Sequence, residues 1–144
     1  MGPPPPGTAI RRWTRGPAIG AGSFGRVSLA LNREDGHLFA VKSAAAAAAH
    51  ASAALENERR ILGCLDSPHV VRLLGADRTL EAGVPTLNLF MEYMAGGSLG
   101  DLVQSFRPLH EPLLRTFTRH ILLGLHSLHS LGFVHCDIKG KNIL

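Results

Sequence analysis

Cysteine is nearly missing from this sequence: two residues, Cys64 and Cys136, in 144. They stand far apart and make no Cys-x-x-Cys pair, so neither a disulfide framework nor a zinc site is suggested. Long apolar runs are missing too, and none reaches the length that spans a bilayer. The N-terminal MGPPPPGT holds no apolar segment of the signal-peptide kind. It begins Met-Gly, yet Pro6 stands where the myristoylation pattern wants Ser or Thr. Charge of one sign is scarce: fifteen Lys plus Arg against eleven Asp plus Glu give +4. That excess is scattered, and no basic run with interleaved aromatics supports nucleic-acid binding. His120, His126 and His129, on or beside one helix, lack metal-ligand spacing. The expectation from these absences is a reducing, cytoplasmic location, with the nucleus as a second one, and no membrane or nucleic-acid partner.

What is present is globular. Apolar residues make up 45% and charged residues 18%, enough in 144 residues for a real core. Residues 1–12 read as a disordered proline-rich leader, with the globular part starting at Trp13. Val27, Leu29 and Leu31 alternate with Ser28, Ala30 and Asn32, the period of a strand. "REDG" is a turn signal, and "HLFAVK" (His37 to Lys42) reads as the returning strand. The alanine-rich tract Ser43 to Ala54 either extends the helix that follows or connects to it. Leu55, Glu58, Ile61, Leu62 and Leu65 recur at helical spacing, with a stop near Asp66-Ser67-Pro68. "VVRLLGA" and "LNLFMEYM" read as strands. Past Gly96-Gly97 the pattern turns helical: a short piece over Leu99 to Phe106, then a long helix from Glu111 with Pro112 in its first turn. Leu113, Leu114, Phe117, Ile121, Leu125 and Leu128 form its apolar stripe. Strands with one helix, then helices, make an α+β chain rather than alternating βαβ.

The stretch "AIGAGSFGRV" contains G-x-G-x-x-G at Gly20, Gly22 and Gly25. Glycine there lets backbone approach phosphate closely. Two unrelated nucleotide sites share the spelling. A dinucleotide-binding βαβ unit wants a buried apolar strand before the first glycine and a helix after the third. Here "RRWTRGP" precedes, and the period that follows is two. The other site is a hairpin lid over ATP phosphates, and its further demands are met in order. "GAGSFGRV" fits G-x-G-x-x-G-x-V, "FAVK" supplies Lys42 on a strand, "LENERRIL" supplies Glu58 on a helix, and "HCDIKGKNIL" is close to H-R-D-L-x-x-x-N. With these motifs the chain resembles the protein kinase family from about Trp13 onward. The wording of "IGAGSFGRVSLAL", "MEYMAGGSL" and "GFVHCDIKGKNIL" is similar to plant mitogen-activated protein kinase kinase kinases.

The resemblance implies a small lobe and hinge over residues 13–94, built from an antiparallel sheet and one helix. Over 95–144 it implies the first helices and the catalytic loop of the large lobe. It implies ATP and Mg2+ as cofactors and phosphoryl transfer to a serine or threonine of a protein, with a mitogen-activated protein kinase kinase as the candidate substrate. The loop Ile19, Gly20, Gly22, Ser23, Phe24 and Gly25 would cover the phosphates. Lys42 would bind the α- and β-phosphates, held by Glu58; Glu56 is the near alternative, and Glu58 is preferred because it immediately precedes "RRIL". Asp137 would accept the proton of the substrate hydroxyl or orient it, and Lys139 would stabilise the transferring phosphate. Asn142 would hold magnesium through its amide oxygen. Val27, Ala40 and Leu144 would sandwich the adenine, Met91 would be the gatekeeper, and Glu92 to Met94 the hinge.

Two departures stand out. Cys136 replaces the arginine of H-R-D, which in the family receives a phosphate carried on the activation loop, so a switch that works through that arginine is not expected. The 144 residues also contain no Asp-Phe-Gly segment. The expectation is a piece of a longer kinase that transfers no phosphate by itself. The alternative is a non-catalytic, kinase-like binding module.

Overall fold

The computed structural model describes residues 10–22 and 25–144. Its strands are β1 (Trp13–Gly22), β2 (Gly25–Asn32), β3 (Leu38–Ala45), β4 (Leu73–Glu81) and β5 (Val84–Glu92). Its helices are α1 (Ala49–Gly63), α2 (Leu99–Ser105) and α3 (Glu111–Ser130), with one 3-10 turn at Gly140–Asn142. The chain divides into two compact units. The first runs to Cys64 and resumes over Arg72–Tyr93; the second comprises Leu65–Val71 and Met94–Leu144.

The first unit is a five-stranded sheet of order β1-β2-β3-β5-β4 in which every neighbouring pair is antiparallel. Side chains alternate between the faces of a strand, so the register assigns each residue to a side. Val27, Lys42 and Leu89 lie in one row, and Leu29, Ala40 and Met91 in the next, all on one face. Helix α1 packs there. Leu55 is fully buried against Ala44, Leu87 and Leu89, with Ala51, Leu62 and Leu73 around them. The opposite face carries Ala30, Phe39, Val41 and Phe90, with Ile10, Trp13 and Leu74 packed against them. Trp13, Phe39 and Phe90 meet edge to face, their centroids 5.2 to 6.1 Å apart. Burying each such ring is worth about 1.5–3 kcal/mol.

That second face also holds a polar network. Asn88, fully buried, accepts from Ser43 Oγ at 2.6 Å and Arg15 Nη2 at 3.0 Å. It donates to Asp77 and to Thr79, each at 2.9 Å, so every bonding site of its amide is used. Arg15 pairs with Glu81, reaches Ser43 Oγ at 2.9 Å, and lies 5.1 Å from the Trp13 ring centroid. The indole N–H donates to Asp77 at 2.9 Å.

Several sequence expectations shift. Ile10, inside the stretch read as leader, packs against the Phe39–Phe90 core; residues 1–9 of that stretch lie outside the described residues. The alanine tract is split: Ser43, Ala44 and Ala45 belong to β3 and Ala49 opens α1. Helix α1 stops at Gly63, ahead of the Asp66-Ser67-Pro68 signal. Strand β4 starts at Leu73 and runs through Asp77, Thr79 and Glu81, which a search for apolar runs misses because their partners are polar.

In the second unit, Ser98 caps α2 through a reciprocal pair with Asp101, a capping box. Pro112 sits in the first turn of α3. Gly124 and Leu128 are buried, whereas Leu113 and Leu114 at its start are exposed. The segment 65–71 crosses α3 at Gly124, where a Cβ would come within 2.7 Å of the His69 carbonyl oxygen. Ser127 Oγ bonds Ser67 Oγ at 3.0 Å beside that crossing. Among the described residues no helix is long and apolar enough to cross a membrane.

Candidate active site

The glycine hairpin joins β1 to β2. Gly20 and Gly22 end β1, Gly25 opens β2, and Gly22 pairs with Gly25. Ser23 and Phe24, expected at the tip, lie outside the described residues. Gly25 has φ +149°, and a Cβ there would come within 2.5 Å of the Ser43 carbonyl oxygen. Only glycine fits both the conformation and the space. Ile19 sits at a register shift of β1 and is 44% exposed. Val27 is half-buried on the face that carries Lys42.

Lys42 and Glu58 meet. Lys42 Nζ donates to Glu58 Oε2 at 2.6 Å, with the lysine side chain only 16% exposed. The ladder aims Lys42 at α1, and the helix presents Glu58 one turn beyond Leu55, the residue that anchors it. Glu56 points elsewhere. Arg59 bonds it at 2.6 Å and Arg78 of β4 lies 3.7 Å away. The hydrogen bond from Arg59, more than any other group, holds the Glu56 carboxyl below its ordinary range. Ala40 is buried and Met91 half-buried on the same face as Lys42. Glu92 is tied to Arg72 twice: its N–H donates to the Arg72 carbonyl at 3.0 Å, and its carboxylate accepts from the Arg72 N–H at 2.6 Å. That clasp has no signal in the sequence.

The second unit carries the other group of residues. Met94 is half-buried, its carbonyl accepting from Gly97 N–H at 3.1 Å, and Leu144 is 54% exposed. Asp137, Lys139 and Asn142 come together. Lys139 Nζ lies 2.9 Å from Asp137 Oδ2. The Asn142 amide nitrogen donates to the Asp137 carbonyl at 2.8 Å and to its Oδ2 at 2.9 Å. Both acceptors are oxygens, so the amide is fixed with its own oxygen pointing away. The spacing D-x-K-x-x-N brings its ends together because a 3-10 turn at Gly140–Asn142 folds the chain back, with Asn142 N–H on the Lys139 carbonyl at 2.8 Å. Lys139 first, then Asn142, hold the Asp137 carboxyl below its ordinary value. His135 Nδ1 accepts from the Asp137 N–H at 3.2 Å. Between them Cys136 takes φ +63°, a left-handed conformation uncommon outside glycine.

The donor set fits a magnesium ion in part. The free Asn142 oxygen is a hard ligand of the kind magnesium takes alongside phosphate oxygens and water. Among the described residues no group of three or more His, Cys, Asp or Glu side chains gathers as a metal site.

These arrangements, a lysine–glutamate pair under a glycine hairpin and a folded D-x-K-x-x-N loop, coincide with a sequence-wide match. The protein kinase domain model matches residues 13–144. The chain belongs to the protein kinase family. Its sheet with α1 is the family's small lobe, and the second unit is the start of the large one. The kinase chain is 40% identical over 155 residues to mitogen-activated protein kinase kinase kinase ANP1 of Arabidopsis thaliana, covering 99% of this chain and 23% of that protein. It is 38% identical over 157 residues to mitogen-activated protein kinase kinase kinase 3 of the same plant, covering 98% and 24%. It is 41% identical over 144 residues to MST11 of Pyricularia oryzae, likewise such a kinase, covering 92% and 15%. The chain thus spans a quarter or less of the length of these relatives.

Proposed function

We propose that this chain carries the ATP-binding lobe and catalytic loop of a serine/threonine kinase in a mitogen-activated protein kinase cascade, acting on a mitogen-activated protein kinase kinase. The observation that carries the reading is the Lys42–Glu58 contact at 2.6 Å. Phosphoryl transfer is mainly a matter of positioning and charge neutralisation. A lysine on a free stem wanders; one fixed by a helix glutamate offers a cation at a defined point. The backbone N–H groups of the hairpin add donors that need no side chains. Asp137, kept ionised by Lys139 and Asn142, orients an acceptor hydroxyl and takes its proton. Lys139 keeps a positive charge beside that carboxylate for the phosphoryl group in flight. Magnesium, bound with ATP, screens the phosphate charge, and Asn142 would be one of its ligands.

Titration of the 144-residue chain with Mg-ATP tests this. Saturable binding that is lost in Lys42→Met supports it; no binding, or equal binding by both, overturns it. For these 144 residues alone we propose weak ATP binding and no transfer, because the aspartate of the family's Asp-Phe-Gly, which would hold the other magnesium, is not among them. Lys42-dependent phosphorylation of a protein by the purified chain would overturn that part. The non-catalytic alternative, a module that holds a partner, is separated by the same titration if no nucleotide binds.

A further inference from the structure

Two glycines outside the phosphate hairpin lie against each other. Gly100 is the second residue of α2, and Gly140 lies in the loop between Asp137 and Asn142. A Cβ on Gly100 would stand 3.2 Å from the Gly140 carbonyl carbon and 3.3 Å from the Lys141 nitrogen. A Cβ on Gly140 would stand 3.1 Å from Gly100 Cα and 3.2 Å from its nitrogen. All four are backbone atoms, so neither partner can yield by turning a side chain. Gly100 has an ordinary φ and sits inside a helix, where glycine is a poor choice. Its backbone conformation therefore does not call for glycine; the close approach does.

The neighbouring bond points the same way. Leu99 is the first residue of α2, and its N–H belongs to the donors that a helix start leaves without an internal partner. It donates to the Ile143 carbonyl at 2.7 Å. The helix start is itself fixed by the Ser98–Asp101 box. The Asp101 carboxyl is held below its ordinary range by its Ser98 bonds first, with the charge of Lys141 adding to them. The loop is thus held at Gly140, Lys141 and Ile143 by the first turn of α2.

We infer that Gly100 is a positioning residue: its missing side chain seats α2 on the loop at Gly140 and so sets where Asp137 and Asn142 are presented. That these two are the groups worth positioning rests on the kinase reading above; the seating itself does not.

The test is nuclear magnetic resonance on the labelled 144-residue chain without ligand. Gly100→Ala is expected to shift the Asn142 side-chain amide signals and to speed exchange of the Leu99 and Asn142 backbone N–H groups. Gly96→Ala, with nothing within 4 Å of its Cβ, is expected to change neither. Unchanged Asn142 signals and exchange in Gly100→Ala overturn the inference. If Gly100→Ala loses its helical circular dichroism, Leu99→Pro decides. Proline is tolerated at the first helical position and removes only the donor to Ile143. Shifted Asn142 signals then support the seating, and unshifted ones overturn it. A chain that shows the shift but binds no Mg-ATP keeps the seating and loses the kinase reading; the reverse result does the opposite.

Discussion

Glu58 and Glu56 stand two residues apart on one helix and face different partners. Glu58 Oε2 lies 2.6 Å from Lys42 Nζ, whereas Glu56 is taken up by Arg59 and Arg78. Glu58→Gln should therefore weaken Mg-ATP binding by roughly tenfold, about 1.4 kcal/mol, and Glu56→Gln should leave it unchanged. The Glu58 change should cost about 1 kcal/mol of stability or less, as partly exposed pairs do. Calorimetric titration of the two variants checks the contrast; equal losses would sink it.

The Asp137 carboxyl is held below the ordinary aspartate value of 3.8, by Lys139 first and Asn142 second. A depressed carboxyl contributes its stabilisation in full above the unfolded value and loses it as pH falls through the lower folded one. A carbon-detected titration should place the Asp137 midpoint below 3.8. Lys139→Ala should raise it more than Asn142→Ala does. A midpoint unmoved by Lys139→Ala would contradict the assignment of cause.

The glycines of the β1–β2 hairpin are not equivalent. At Gly25 a methyl group meets the Ser43 carbonyl oxygen at 2.5 Å in a left-handed backbone. At Gly20 it meets Val27 Cβ at an ordinary 3.9 Å. Gly25→Ala should cost about 1–3 kcal/mol, and Gly20→Ala less than about 1 kcal/mol. The single tryptophan, Trp13, packs on the same sheet, so urea unfolding followed by its fluorescence reads both. Equal midpoints for the two variants would refute the distinction.

On the outer face of the sheet, two buried polar residues should respond in opposite ways. Ser28 Oγ is buried without a hydrogen-bond partner among the described residues. Ser28→Ala should leave stability unchanged or raise it by about 1 kcal/mol. Asn88 makes four bonds, and Asn88→Ala should cost about 3 kcal/mol by stranding its partners. The same fluorescence assay decides, and a destabilised Ser28→Ala would point to a bonded hydroxyl.

Much of this chain could be read from its residues, for identifiable reasons. The period of two in Val27, Leu29 and Leu31 gave β2, and Pro112 marked the start of α3, because each signal is local. Choosing Glu58 over Glu56 relied on a family pattern; in the fold Glu58 meets Lys42 and Glu56 meets Arg59. What stayed hidden depends on contact between distant segments. The polar half of β4 looks like loop until Asn88 is seen to bond Asp77 and Thr79. Gly100 resembles any loop-side glycine until Gly140 is found against it. Nothing around Arg72 announces its clasp on Glu92.

The Arg15–Ser43–Asn88 network lies on the side of the sheet away from Lys42 and Glu58, yet it bears on their pairing. Ser43 and Lys42 are neighbours on β3, so bonding one to the far side obliges the other to face α1. The network works as a parity lock. A slip of β3 by one position would turn Lys42 outward and offer Ser43 to Glu58 instead, a hydroxyl where a cation is needed. Loss of the Lys42–Glu58 pair can thus originate behind the sheet, in residues that touch neither partner.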